Sequence, residues 1–240
     1  MDSKRDFCFL HKGFTMAEVL ITLGIIGIVA AMTLPSVINK HKRVESETRL
    51  KKAYTVLNQA VLSAQAKHGE MKDWPEWDDG EEIIRKYIAP EIKGAKIFPK
   101  GHVATAMCYE NKNPIQNIDE SAYQYTWMDK IHISNPFTTK TASIKLQDGT
   151  CIGINGANAE GYNLRLFIDT NGSYRLPNKA GYDLFFFTIN GNQILPEGSD
   201  WALERLSSQS ITGSCNTKAS RGGRVCAAKI IGDGWSIKYW

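Results

Sequence analysis

No G-x-S-x-G elbow, no G-x-x-x-x-G-K-[ST] loop and no H-E-x-x-H pair occurs in the 240 residues. The signatures of serine hydrolases, P-loop nucleotide-binding proteins and zinc peptidases are therefore missing. The histidines His11, His41, His68, His102 and His132 stand apart and read as surface or capping residues. No C-x-x-C spacing supports a zinc site. Charge of one sign is also scarce. The net +4 comes from Lys and Arg scattered among Asp and Glu, which points to a solvated mixed surface and not to a nucleic-acid footprint. There is no internal repeat and no low-complexity linker. With 42% apolar and 22% charged residues, most of the chain should fold, as one sizeable domain or two small ones.

What is present is concentrated near the start. Val19 to Leu34 carries no charge, and its only polar side chains are Thr22 and Thr33. Phe14 to Ile38 is 25 residues, about 37 Å as a helix and long enough to cross a bilayer. One carboxylate, Glu18, lies a single turn inside this apolar stretch. An acid there costs up to roughly 2.5–3.5 kcal/mol, so it marks a function and needs a partner; the alternative is a Glu that snorkels to the interface. Residues 1–13 form a short charged leader ending in Gly13, and their removal leaves a net charge of +3. Lys40-His41-Lys42-Arg43 and Lys51-Lys52 follow the apolar segment, and anionic membrane-lipid headgroups are a sufficient partner for them.

The run Lys12-Gly13-Phe14-Thr15-Met16-Ala17-Glu18-Val19-Leu20 resembles the prepilin-type processing site of the type IV pilin superfamily, which includes type II secretion pseudopilins. The resemblance implies cleavage after Gly13 by a prepilin peptidase at the cytoplasmic face, and methylation of the new N-terminus at Phe14. It also makes Glu18 the acidic fifth residue of the mature chain and Pro35 the helix-breaking proline that such proteins often carry. Glu18 then gains a partner: the cationic amine of Phe14 on a neighbouring, axially offset subunit. A pair is tolerated in a low-dielectric bundle where a lone charge is not. A conventional signal peptide ending near Ala30-Ala31-Met32 is the rival, and Glu18, the long apolar stretch and the Gly13–Phe14 boundary all speak against it. The cations after Ile38 sit awkwardly with a head outside the cytoplasm under the positive-inside rule. Cleavage and the cysteines favour that orientation nonetheless.

Beyond the membrane segment, Leu50, Ala53, Leu57, Val61 and Ala64 recur at helical spacing, extended less regularly backwards by Val44 and Val37. Pro35 lacks an N–H and should kink or locally melt the helix. Gly69 ends the helix, the loop from Trp74 to Gly80 follows it, and a short helix over Glu81–Ala89 closes at Pro90. Strand signals begin at about residue 102. Ala142–Gln147 and Thr150–Asn155 flank Asp148-Gly149 as a hairpin, and Leu164–Ile168 and Asp183–Asn190 add strands. Cys226–Ile231 and Trp235–Tyr239 read as a last hairpin. The expected fold is α+β: a long N-terminal helix, transmembrane in its first half and amphipathic in its second, packed on a small antiparallel head. The expected division is leader 1–13, membrane and filament-core helix 14–38, amphipathic continuation 39–68 and globular head 69–240.

With Cys8 in the leader, Cys108, Cys151, Cys215 and Cys226 remain. An even count in an exported domain suggests two disulfides, and four cysteines allow three pairings. Cys215–Cys226 across a Gly/Ser/Arg-rich loop and Cys108–Cys151 between strands are the favoured set. Asp169-Thr170-Asn171-Gly172, continuing through Pro177-Asn178, Gly181 and Asp183 to Phe185, resembles a D-x-N-G…PN…G-x-D-x-F run of pseudopilin-like heads. Some relatives hold calcium in a head loop, so Asp169, Asn171 and Asp183 become candidate oxygen ligands. Asx turns that bond the backbone explain the same residues without a cation, and no other cofactor is expected.

The resemblance implies a non-catalytic subunit of a type IV pilus or type II secretion pseudopilus. It would be held in the bacterial inner membrane by a single pass, head outside, and then assembled into a filament. The implied partners are the prepilin peptidase, sibling pilin-like subunits, and an inner-membrane assembly platform with its ATPase. The alternative is a membrane-tethered extracytoplasmic binding protein or enzyme that does not polymerise.

Overall fold

A computed structural model describes residues 13–74, 80–99, 115–121, 125–126, 132–133, 141–155, 164–172, 175–219 and 221–239. The chain divides after Lys42 into two units, each described here by itself. The first unit is helical from Met16, the start of α1 (Met16–His68). An 18-residue window of α1 has a mean hydropathy of 2.2 and no buried residue, so Leu20, Ile21, Leu23, Ile25, Ile28 and their neighbours are exposed on every side. A helix apolar all round requires lipid or other helices as its solvent. Pro35 does not melt it. The helix is continuous through that position, because a proline removes one intrahelical bond and good helix formers flank it on both sides.

From Arg43 onward α1 belongs to the second unit. Ser46, Leu50, Ala53, Leu57, Ala60, Val61 and Ala64 are buried, the spacing of one helix face. The stripe does not extend backwards as the sequence suggested: Val44 is 52% and Val37 63% exposed. The docked face begins at Ser46, whose hydroxyl donates to Tyr182 O. Lys51 and Lys52 face the head and are not left for headgroups. Lys51 Nζ lies 5.7 Å from the Trp235 ring centroid, and Lys52 Nζ pairs with Asp148 at 2.8 Å.

After α1 come a 3-10 turn (Met71–Asp73), α2 (Gly80–Ile83), a π-helical turn (Ile84–Ile88) and a second 3-10 turn (Ala89–Glu91). Together they occupy the position of the short helix expected over 81–89. The strands are β1 (Lys96–Phe98), β2 (Tyr125–Thr126), β3 (His132–Ile133), β4 (Thr141–Lys145), β5 (Cys151–Asn155), β6 (Leu164–Asp169), β7 (Leu184–Asn190) and β8 (Gln193–Pro196). Six of them form one antiparallel sheet in the order β1-β4-β5-β6-β7-β8, and β2 pairs with β3 separately.

The register lines up Ile97, Ile144, Ile152, Ile168 and Phe185 in one row, with Ala142, Ile154, Leu166 and Phe187 in the next. These rows join Leu50, Leu57 and Val61 of α1 in the main core. Tyr54 stacks on Phe187 at 5.4 Å and donates its hydroxyl to Ile194 O at 3.1 Å. The opposite face of the sheet carries Cys151, Phe167, Leu184 and Phe186 in a second cluster.

The C-terminal hairpin expected from the sequence is not formed. Cys226–Ile231 lies instead in α4 (Cys226–Gly232), preceded by α3 (Leu203–Leu206). Ala227-Ala228-Lys229 has high helix propensity, and Lys229 pairs with Asp233 one turn on. The helix buries Cys226, Ala227, Ala228 and Ile230 together. The Cys215–Cys226 disulfide joins the start of α4 to the preceding loop, as expected. Cys151 is also disulfide-bonded; Cys108, its expected partner, lies outside the described residues.

Candidate functional site

Two places hold the residues singled out from the sequence. The first is the start of α1. Gly13 and Phe14 are non-helical, Phe14 is 86% exposed, and no heavy atom lies within 4 Å of a side chain placed at Gly13. The peptide bond between them is thus on extended, uncovered backbone, where proteolysis concentrates. Glu18 has a partner that the sequence reading missed. Its Oε2 accepts from the Thr15 backbone N–H and from the Thr15 hydroxyl, both at 2.8 Å, while the Glu18 N–H donates to Thr15 Oγ1 at 3.3 Å. This is a reciprocal capping box, T-x-x-E, which satisfies two of the orphan donors at the helix N-terminus. The signal was present as Thr15 three residues before Glu18.

The second place is the turn joining β6 to β7. Asp169 ends β6 on the face of Cys151 and Leu184, its register partners. Asp169 Oδ1 accepts from the backbone N–H of Asn171 (3.2 Å) and Gly172 (2.8 Å), the Asx-turn geometry expected of such a residue. Gly172, at φ 75°, is required here: a Cβ would stand 2.7 Å from Gly149 O of the β4–β5 turn. Asp183 accepts from Asn178 N–H at 2.8 Å, Lys179 N–H at 2.6 Å and Asn171 Nδ2 at 3.1 Å. Asn171 therefore bridges the two carboxylates. The three expected ligand residues do come together, but three N–H donors already occupy Asp183. Asn178, at φ 49° after the cis Leu176–Pro177 bond, is the residue whose backbone role the motif did not disclose.

Electrostatically this pair is strained. Both acids are buried, and among the described residues neither forms an ion pair. Burial pushes Asp169 well above the usual carboxylate range, and the Asp183 charge adds to the effect. Burial raises Asp183 to about 6 against the opposing N–H bonds. Asp169 Oδ2 and Asn171 Oδ1 are buried acceptors that no donor reaches among the described residues. No group of three or more His, Cys, Asp and Glu among those residues is arranged to hold a metal.

A groove of about 420 Å³ runs between α1 and the β4–β5 turn, lined by Lys52, Val56, Ser63, Glu91 and Asp148 among others. Its charged groups are paired: Lys52 with Asp148 as above, and Glu91 with Ser63 (2.5 Å) and Lys67 (2.6 Å).

The long helix, the antiparallel sheet and the motif at the helix start define a pilin-like protein. Residues 9–34 match the model of the prokaryotic N-terminal methylation motif, which makes the chain a substrate of prepilin peptidase and, with the apolar helix, a membrane-anchored one. Residues 36–239 match the model described as Family of unknown function (DUF6613), and the chain belongs to that family. No curated protein and no solved structure matches it.

Proposed function

We propose that the protein is a structural subunit of a type IV pilus or a type II secretion pseudopilus. It is drawn from the inner membrane into a filament whose core is built from the apolar half of α1. The observation that carries this reading is the pairing of a methylation motif with an apolar segment that has no intramolecular cover. A monomer needs lipid around that segment, and a filament replaces the lipid with sibling helices. In this account the head sits outside the cytoplasm, where disulfides persist. An assembly platform and its ATPase supply the work, and the protein itself catalyses nothing.

The assembly role of Glu18 starts from the capping box. Before cleavage Glu18 is satisfied by Thr15 of its own chain. Cleavage after Gly13 places an ammonium on Phe14, directly before Thr15. A carboxylate has about four lone-pair sites, so Glu18 can keep its cap and also accept the Phe14 amine of a neighbouring subunit. The pairing then sets axial register between subunits, as buried polar groups do in helical assemblies.

The test is incorporation of Glu18→Val into filaments of the native host alongside wild-type subunits. The reading expects normal cleavage with loss of at least about 90% of incorporation, a penalty of order one factor of ten for each 1.4 kcal/mol. Wild-type levels of the variant in filaments would rule out the register role. A processed wild-type chain that never leaves the membrane under conditions where filaments form would favour the tethered binding protein or enzyme.

A further inference from the structure

We propose that the β6–β7 turn binds one calcium ion, with Asp169 Oδ2 and Asn171 Oδ1 as its side-chain ligands and Asp183 as the second charge and positioning residue. The assignment concerns the head alone and does not rest on the filament reading.

Three observations converge. Asp169 and Asp183 are both almost fully buried, at 1% and 3% exposure, and among the described residues no cation pairs with either. Burying two like charges without a counter-charge is among the most expensive arrangements a head can hold. Second, the two oxygens that lack donors, Asp169 Oδ2 and Asn171 Oδ1, belong to residues locked together by the Asn171 N–H bond to Asp169 Oδ1. Buried acceptors without donors are rare enough that each needs an explanation, and a cation satisfies several acceptors at once. Third, the frame is rigid. Asn171 Nδ2, Asn178 N–H and Lys179 N–H hold Asp183, and Gly172 is pinned under Gly149 O.

The donors are all oxygen, which favours a hard cation over zinc or copper. One carboxylate oxygen and one amide oxygen suit calcium, which takes irregular sets of carboxylate, amide and backbone oxygens. Magnesium needs near-octahedral geometry and sheds water reluctantly. The calcium would supply the missing counter-charge to both acids. Asp183 contributes through its charge and through Asn171, since its own oxygens are engaged.

The competing explanation is a proton on Asp169 alone, and the experiment separates the two. The full chain, in detergent micelles at pH 7.5 and stripped with EDTA, is melted in EDTA, in calcium chloride and in magnesium chloride. Calcium is expected to raise Tm by about 5 °C or more at saturation, with a smaller effect of magnesium. Asp169→Asn keeps the shape and removes the ligand charge, and is expected to melt cooperatively with no calcium increment. If that variant does not fold, Asn171→Ala retains both carboxylates and is expected to need at least about ten times more calcium for the same increment. Equal Tm in calcium and EDTA for the wild-type chain overturns the proposal in favour of the protonated acid. A full calcium increment in Asp169→Asn, or in Asn171→Ala where that variant stands in for it, overturns it as well, because the ion would then bind elsewhere.

Discussion

Glu18 and Asp169 pose the same problem in different solvents: an acid in a place that disfavours charge. For Glu18 the T-x-x-E box with Thr15 is the local answer. Thr15→Ala leaves the scissile bond untouched and removes the cap, so the helix start is expected to lose about 1 kcal/mol. Hydrogen exchange at residues 16–19 of the micelle-bound chain should quicken by roughly fivefold, and unchanged exchange would mean that the cap is idle. Glycine at position 172 is a second residue-scale constraint. Gly172→Ala forces a φ of 75° on a residue with a Cβ, and that Cβ meets Gly149 O at 2.7 Å. A loss of more than about 1 kcal/mol is expected in denaturant melts. Neither the Thr15 bond nor this contact can be read from composition. The first was legible as a spacing, and the second joins turns 23 residues apart in the chain, which no local pattern reports.

Among the elements, α1 and the β4–β5 hairpin were legible because their signals are local. A charge-free run, a stripe from Leu50 to Ala64 and an Asp148-Gly149 turn each act within a few residues. Leu57 is fully buried against the sheet. Leu57→Ala is expected to cost about 3 kcal/mol, read as a lowered denaturation midpoint of the head at unchanged slope. What failed was the C-terminal element. Cys226–Ile231 alternates enough to pass for a strand, yet Ala227-Ala228 and the disulfide at Cys226 favour α4. Hairpin logic had no access to the tertiary tie. Reduction of the Cys215–Cys226 bridge removes an 11-residue closure, expected to be worth about 3 kcal/mol in the chain-entropy model. Cys215→Ser with Cys226→Ser should reproduce that loss in a denaturant melt, and an unchanged midpoint would contradict it. The edge strand β8 was missed because it is short and ends in Pro196, the form in which sheets protect an edge.

As a whole molecule, the chain joins a segment with no cover of its own to a head that buries one side of the same helix. Ion pairs such as Lys67–Glu91 lie along the head part of α1. The bond from Lys67, then that from Ser63, holds Glu91 below the ordinary glutamate value of 4.5. A lowered carboxylate pKa means that the folded state binds fewer protons than the unfolded one. The contribution is therefore present above about 4.5 and is lost as pH falls through the lowered folded value. Glu91→Gln should flatten the acid limb of the head's stability profile and leave the neutral region nearly unchanged.

The central claim is that the uncovered segment becomes a filament core only after cleavage makes the Phe14 amine. Mass spectrometry of the mature N-terminus tests it most directly. The account predicts a chain beginning at N-methylated Phe14, with residues 1–13 absent. A chain that retains Met1, or one that begins at Met32 or Thr33, would contradict it.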